Sequence, residues 1–301
     1  MSSTVQSEEK LNLWTQFWQS KTNRKRLGRV YKTILAVVLL VFTLLPILYV
    51  ISAAFGPSGA LSGQKLIPDN PSLVNFETIL AEPFWLWMWN SFKLAVISSL
   101  LSVAMTMLAA FSFSRFRFRF RSHLMMGTLL VQVFPAILTM VALYALLQQI
   151  GTYVPWLGLN SHGGLILLYM GGELGINFWL MKGFFDSVPR DIDESAELDG
   201  ATHWQTFWYL IFPLVRPIVA VVAILTFVGV YSDWVLASIM IQDQDKFTLM
   251  LGLQGFVQYD YGSAWGAYAA GAIIGALPII IIFLALQDQI IGGLTAGAVK
   301  G

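Results

Sequence analysis

No cysteine occurs among the 301 residues, which excludes disulfides, thiol catalysis and cysteine-ligated metal. Charge is scarce. Asp, Glu, Lys and Arg make up 12% of the chain, whereas a soluble domain carries about twice that share. Histidine occurs only at His123, His162 and His203, too scattered to suggest a metal site by spacing. No G-x-x-x-x-G-K-S/T segment is present; Lys65 follows Gly63 but breaks that pattern, so the chain has no phosphate-cradling loop of its own. No nucleophile–base or metal-ligand spacing emerges either, which argues against an embedded enzyme.

What is abundant is apolar: 56% of residues are hydrophobic and 14% aromatic. Disorder is thereby excluded. A helix needs about 20 apolar residues to cross ~30 Å of hydrocarbon. Six stretches qualify, near 34–55, 92–113, 124–147, 163–185, 215–241 and 265–286. Their continuous apolar character predicts an all-α membrane protein, a six-helix bundle, because alternating strands of ~10 residues would mark a barrel. The first run is too long for the core of a signal peptide, so the faint Ser52-Ala53-Ala54 cleavage-like site is expected to stay intact.

Lys and Arg set the orientation. With six spans, fifteen of the 18 basic residues fall on one side, including Arg24, Lys25, Arg26, Arg115, Arg117, Arg119, Arg121, Arg190 and Lys300. The other side holds Lys65, Lys93 and Lys246. Both termini are therefore expected in the cytoplasm. The expected division is an interfacial N-terminal segment at 1–33, a permeating bundle at 34–291 and a tail at 292–301.

Several segments carry two readings. Leu11, Trp14, Phe17 and Trp18 suit an interfacial helix, or else a loosely ordered basic tail. Trp85, Trp87 and Trp89 read as an outer aromatic belt. In the run Arg115–Arg121 arginine alternates with phenylalanine; arginines snorkelling to inner headgroups explain it, and a cytoplasmic partner is the alternative. Pro46, Pro135 and Pro278 are expected to kink spans one, three and six. Gly271 and Gly275 form a G-x-x-x-G pair, suited either to an interface with another chain or to packing within this one.

The informative segment lies between spans four and five, at about 189–213. Pro189 suits a first helical turn, and Asp191, Asp193 and Glu194 suit the positive end of a helix dipole. Gly200 can end that helix in the left-handed conformation. Thr202 and Gln205 have the spacing of a capping box that opens a second helix running toward Pro213. A short acidic helix stopped by glycine can dock a partner closely; an ordinary solvated surface helix is the alternative.

These residues resemble the EAA loop of ATP-binding-cassette import permeases. Glu194, Ser195 and Ala196 stand for its Glu-Ala-Ala, Gly200 follows at the required offset, and Leu210 and Pro213 close the pattern. Ser195 replaces the usual alanine. The likeness extends over most of the chain to the carbohydrate-uptake branch of that family, and within it to the maltose/maltodextrin permeases. It is carried by Val133-Phe134-Pro135-Ala136, Leu198-Asp199-Gly200-Ala201-Thr202, Gly158-Leu159-Asn160-Ser161-His162 and the 293–301 tail.

The resemblance implies a heteromeric importer: an F-type permease subunit, two ATPase subunits that use ATP and Mg, and an extracytoplasmic sugar-binding protein. No cofactor is expected on this chain and no nucleic-acid partner; membrane lipid is expected around it, in a bacterial or archaeal cytoplasmic membrane. Glu194, Ser195, Ala196, Asp199, Gly200, Ala201 and Pro213 are the implied ATPase-coupling residues. Candidates for the substrate path are the polar and aromatic groups inside spans, Gln132, Tyr144, Glu173, Asn177 and Asp233. Two of them also have a structural reading: Glu173 as a protonated or backbone-bonded group, Tyr144 as simple packing. In the outer loop at 242–264, Gln254, Phe256 and Tyr259 suit contact with the binding protein, or an interfacial belt. Competing readings are another oligosaccharide, such as a galactoside or arabinoside oligomer, and a self-sufficient secondary transporter. The latter should show inverted repeats, and none is evident.

Overall fold

The computed structural model describes residues 21–56, 65–258 and 264–298, and among these every regular element is a helix. In chain order they are α1 (Lys21–Phe55), α2 (Val74–Ala81), α3 (Phe84–Arg115), α4 (Arg121–Val133), α5 (Ala136–Tyr153) and α6 (His162–Ser187). There follow α7 (Asp191–Leu198), α8 (His203–Tyr231), α9 (Val235–Met240), α10 (Leu249–Gln258), α11 (Trp265–Gly275) and α12 (Leu277–Ala298). Four helices are long and apolar enough to cross a membrane, and the count reaches six when each bent pair is taken as one span.

The breaks have local causes. α4 and α5 meet at 106° around Phe134-Pro135, where proline lacks the amide that would continue the ladder. α6 bends by 46° near Gly171-Gly172. Pro278 occupies the second position of α12, where a missing N–H costs nothing. Pro46 leaves α1 unbroken. Span five ends at Tyr231, ten residues before the sequence-based boundary of 241. The cause is Asp233, whose carboxylate accepts the amides of Leu236 (3.4 Å) and Ala237 (3.1 Å) and so starts α9 as a separate helix.

α3 is the central post, packed against α6 and α8. Over half (56%) of its most apolar window is buried, against none (0%) of the corresponding window in α1; α1 therefore presents its apolar surface outward, as lipid requires. Ser91, Ser98, Ser102, Thr106 and Ser114 are buried along α3, and such small side chains let neighbouring helix axes approach. Two apolar cores result. One joins Phe84, Trp87, Leu94, Leu147, Leu165, Phe227 and Leu253. The other joins Met107, Phe111, Met181, Phe185, Phe207 and Ile211 beside α7.

Two expectations about the outer loops change. The segment 242–264 is not a plain loop: it contains α10, whose Leu249 and Leu253 are fully buried. These two leucines meet Gly275 and Gly271 of α11; a Cβ there would lie 2.5 and 2.3 Å from their Cδ2 atoms. The G-x-x-x-G pair thus serves packing within the chain. Trp87 is no belt residue either. It is buried against Gly252, while Trp85 and Trp89, one turn apart on the other face of α3, stay exposed.

Candidate functional site

The 189–213 segment forms a helix–turn–helix whose glycine stop and capping box are where its sequence predicts, whereas Pro189 lies before the N-cap Arg190 and outside the first turn. In α7, Asp191, Asp193 and Glu194 occupy the first turn. Gly200 has φ +82°. Its amide donates to the Glu197 carbonyl (3.0 Å) and the Ala201 amide to the Ala196 carbonyl (2.9 Å), which is a Schellman stop. Thr202 Oγ1 accepts from the Gln205 amide (3.3 Å) while Gln205 Oε1 accepts from the Thr202 amide (2.8 Å). That capping box opens α8.

α8 then continues without interruption into span five, through a wide π-helical turn at Thr206–Ile211. Pro213 and Pro217 follow directly and withhold two amides from the ordinary ladder. α7 is thereby joined, through the short turn at Gly200, to a helix that enters the bundle.

α7 is also fastened sideways. The Arg115 guanidinium, at the end of α3, pairs with Asp193 at 3.0 Å, and its side chain is only 7% exposed. The same group donates to the Phe185 carbonyl (3.2 Å) and the Val188 carbonyl (3.1 Å) at the end of α6. Arg190 donates to the Ser114 carbonyl (3.1 Å), and Ser114 Oγ donates to Asp186 (2.7 Å). Underneath, Phe111, Phe185 and Phe207 bring α3, α6 and α8 into one ring cluster. Arg115 is thus a buried brace and not a snorkelling side chain. Its position in an alternating Arg/Phe run concealed this, because Arg117 and Arg119 share the pattern and are exposed.

Of the seven coupling candidates, Ala196 is buried and holds α7 to the bundle, whereas Glu194, Ser195, Asp199 and Gly200 face outward. Ala201 is half-buried and Pro213 exposed on α8. A cavity of about 290 Å³ lies among Arg115, Arg190, Asp193, Glu194, Glu197 and His203. Leu198 is 90% and Trp204 60% exposed beside it, so the outer surface of this element mixes carboxylates with bare apolar groups. A Cβ added at Gly200 meets nothing within 4 Å; its face is open to an incoming surface.

The five substrate-path candidates are dispersed. Asn177 is buried and donates to Thr226 Oγ1 (3.0 Å), linking α6 to α8. Asp233 caps α9 and accepts the Tyr169 hydroxyl (2.9 Å). Gln132 is exposed on α4 and lies against Gly175 of α6. Tyr144 is half-buried against the outer core. Glu173 lies on α6, and its side chain is outside the described set. Only Asp233 among the four described lines the cavity of about 630 Å³ between α5, α6 and α8, whose other walls are mainly apolar. Gln254 and Phe256 lie half-buried on α10, and Tyr259 falls outside the described residues.

Residues 102–294, which include the whole of this helix–turn–helix, match the family described as the binding-protein-dependent transport system inner membrane component. The chain belongs to that family. It is 41% identical over 288 residues to the maltose/maltodextrin transport system permease protein MalG of Vibrio vulnificus (strain YJ016), covering 91% of this chain and 96% of that protein. The protein of the same name from Escherichia coli (strain K12) is 42% identical over 219 residues, 73% of each chain. The fold is shared with the crystal structure of a bacterial ABC transporter involved in import of the acidic polysaccharide alginate: TM-score 0.73 at 20% identity, covering 89% of this chain and 98% of that one. Membership makes the chain a multi-pass inner-membrane permease of a binding-protein-dependent importer of the ABC type.

Proposed function

We propose that this chain is one of two permease subunits of an ATP-driven maltose/maltodextrin importer, with six spans, both termini in the cytoplasm and ATP hydrolysis carried by separate subunits. One observation carries the mechanism. α7 is an acidic, outward-facing helix stopped at Gly200, braced to α3 and α6 through Arg115, and joined by a short turn to α8, which is long and apolar enough to cross a membrane. A partner that grips this helix moves the bundle as a body. Closure of the ATPase pair on α7 then biases the outward- and inward-open arrangements, which differ by rigid rotation about subunit interfaces.

Glu194 supplies the charged contact, Leu198 and Trp204 the apolar one, and Gly200 the close approach. The maltose assignment is supported by the sequence likeness to maltodextrin permeases over 91% of the chain. Asp233, at the 630 Å³ cavity, is the group best placed to meet a sugar hydroxyl within this chain. Gln254 and Phe256 on α10, together with Tyr259, form the contact for the external binding protein. An F-type permease completes the pathway.

The test is co-purification of the tagged chain in mild detergent, followed by ATPase assay. A second permease and an ATPase should be recovered, and maltodextrin-loaded binding protein should stimulate hydrolysis. Gly200→Asp should abolish that stimulation while membrane insertion is kept. Normal stimulation in Gly200→Asp, or recovery of this chain alone, would overturn the coupling role.

A further inference from the structure

The arginine-rich turn between α3 and α4 divides its labour. Arg115 is consumed by the brace on α7. Among the described residues, no carboxylate forms an ion pair with Arg117, Arg119 or Arg121. Arg121 goes further: its Nε atom is buried and has no hydrogen-bond partner among the described residues. The carboxylate whose charge reaches it, Asp186, is already bonded to Lys182 and Ser114. A buried guanidinium N–H without an acceptor is costly, and the part of the same side chain that lines the groove leaves its charge open to an anion.

These three arginines line a single groove of about 530 Å³ together with Met126, Leu129 and Trp179. The Trp179 indole donates to Thr128 Oγ1 (3.1 Å), so its ring is held as a fixed wall between α6 and α4. Met126 and Leu129 are 58% and 43% exposed. From Arg121 to Leu129 the helix rises roughly 12 Å. The groove therefore has guanidinium groups at its polar end and an open apolar side about as long as the upper part of an acyl chain. No side chain caps the first turn of α4; the Arg121 amide is taken by the Phe118 carbonyl (3.2 Å), so the arginine side chains carry the positive charge of this end.

We infer that this groove binds an anionic phospholipid, the phosphodiester against Arg117, Arg119 and Arg121 and the proximal acyl chain along Met126, Leu129 and Trp179. A free phosphate would satisfy the guanidinium groups and leave the apolar wall bare; a zwitterionic lipid would bring a cation against three unpaired arginines. Assigning the site to the inner leaflet rests on the proposed orientation; the binding itself does not.

The experiment uses the full complex in detergent, by native mass spectrometry with added phosphatidylglycerol or phosphatidylcholine. Phosphatidylglycerol should be retained preferentially. Combined Arg117→Gln, Arg119→Gln and Arg121→Gln should weaken that retention by on the order of a hundredfold, taking roughly fivefold per guanidinium. Lys25→Gln, Arg29→Gln and Lys32→Gln, which remove equal charge from α1, should leave retention within about twofold. Should the triple arginine variant misfold, phosphatidylglycerol with brominated acyl chains gives an independent reading: quenching of indole fluorescence should shrink in Trp179→Phe. Glycerol 3-phosphate at millimolar concentration should not displace the lipid. Equal retention of both lipids, insensitivity to the arginine substitutions, no change in quenching, or displacement by glycerol 3-phosphate would each overturn the proposal. Sugar-stimulated ATP hydrolysis, measured on the same preparations, reports separately on the coupling reading.

Discussion

Arg115 is the residue on which the coupling reading bears most directly. It accepts no substitute within reach: one guanidinium holds Asp193 of α7 and two carbonyls of the α6 terminus, and only 7% of it meets solvent. Arg115→Ala removes the ion pair, takes a donor from the Val188 carbonyl, leaves the Phe185 carbonyl with the Val188 amide alone, and strips a half-buried carboxylate of its counter-charge. Breaking a buried pair from one side costs about 3–5 kcal/mol. Asp193→Asn removes only the charge; it keeps both carbonyl bonds and leaves a polar group opposite the arginine, at a cost of about 1–2 kcal/mol. Hydrogen–deuterium exchange on peptides covering 186–201 reads these differences locally. Since ~1.4 kcal/mol is a factor of ten, exchange should accelerate by about a hundredfold to a few thousandfold in Arg115→Ala, or reach the unprotected limit. In Asp193→Asn it should accelerate roughly tenfold. Both should lower sugar-stimulated ATP hydrolysis in that same order, while basal assembly of the bundle persists through the Phe111–Phe185–Phe207 cluster. Equal exchange in the two variants would refute the carbonyl contribution, and unchanged exchange in Arg115→Ala would refute the brace.

Two further outcomes are expected. Gly252→Ala places a Cβ 2.3 Å from the Trp87 ring, so it should destabilise the outer core by about 1–3 kcal/mol; a lowered melting temperature in detergent, recovered by adding Trp87→Leu, checks this. Asp233→Ala should lose the α9 cap and the Tyr169 bond, about 1–2 kcal/mol, whereas Asp233→Asn should keep most stability; transport measured in Asp233→Asn vesicles then separates a sugar contact, seen as a raised KM, from a purely structural role, seen as an unchanged one.

Much of the coupling element was legible because its signals are local. Gly200, Thr202 and Gln205 act on backbone groups within five residues, so their spacing alone predicts a stop and a start, and both are present. Apolar runs located the long helices for the same reason, since each helix satisfies its own backbone, although the run at 124–147 is two helices that meet at 106°. Boundaries failed where a distant group intervened. Hydropathy carries span five to 241, but Asp233 takes the amides of the next turn and ends it at Tyr231. Trp87 reads like Trp85 and Trp89 until α10 arrives with a glycine opposite it. The polar residues inside spans were identifiable as a class, yet their partners, Thr226 for Asn177 and Tyr169 for Asp233, lie 49 and 64 positions away.

The sequence by itself determined an all-helical chain with apolar segments of membrane length, a capped acidic helix between two of them, and the pattern of a permease coupling loop. These rest on composition, period and nearest-neighbour hydrogen bonding, which need no fold. Only the tertiary structure decided that Arg115 braces α7 while its three neighbours in the same run meet no carboxylate among the described residues, and that the paired glycines of α11 seat Leu249 and Leu253 of the same chain. Identical residue types at identical spacing received different roles because contact between helices depends on where each helix lies against the others. That placement is set by the packing of the whole bundle.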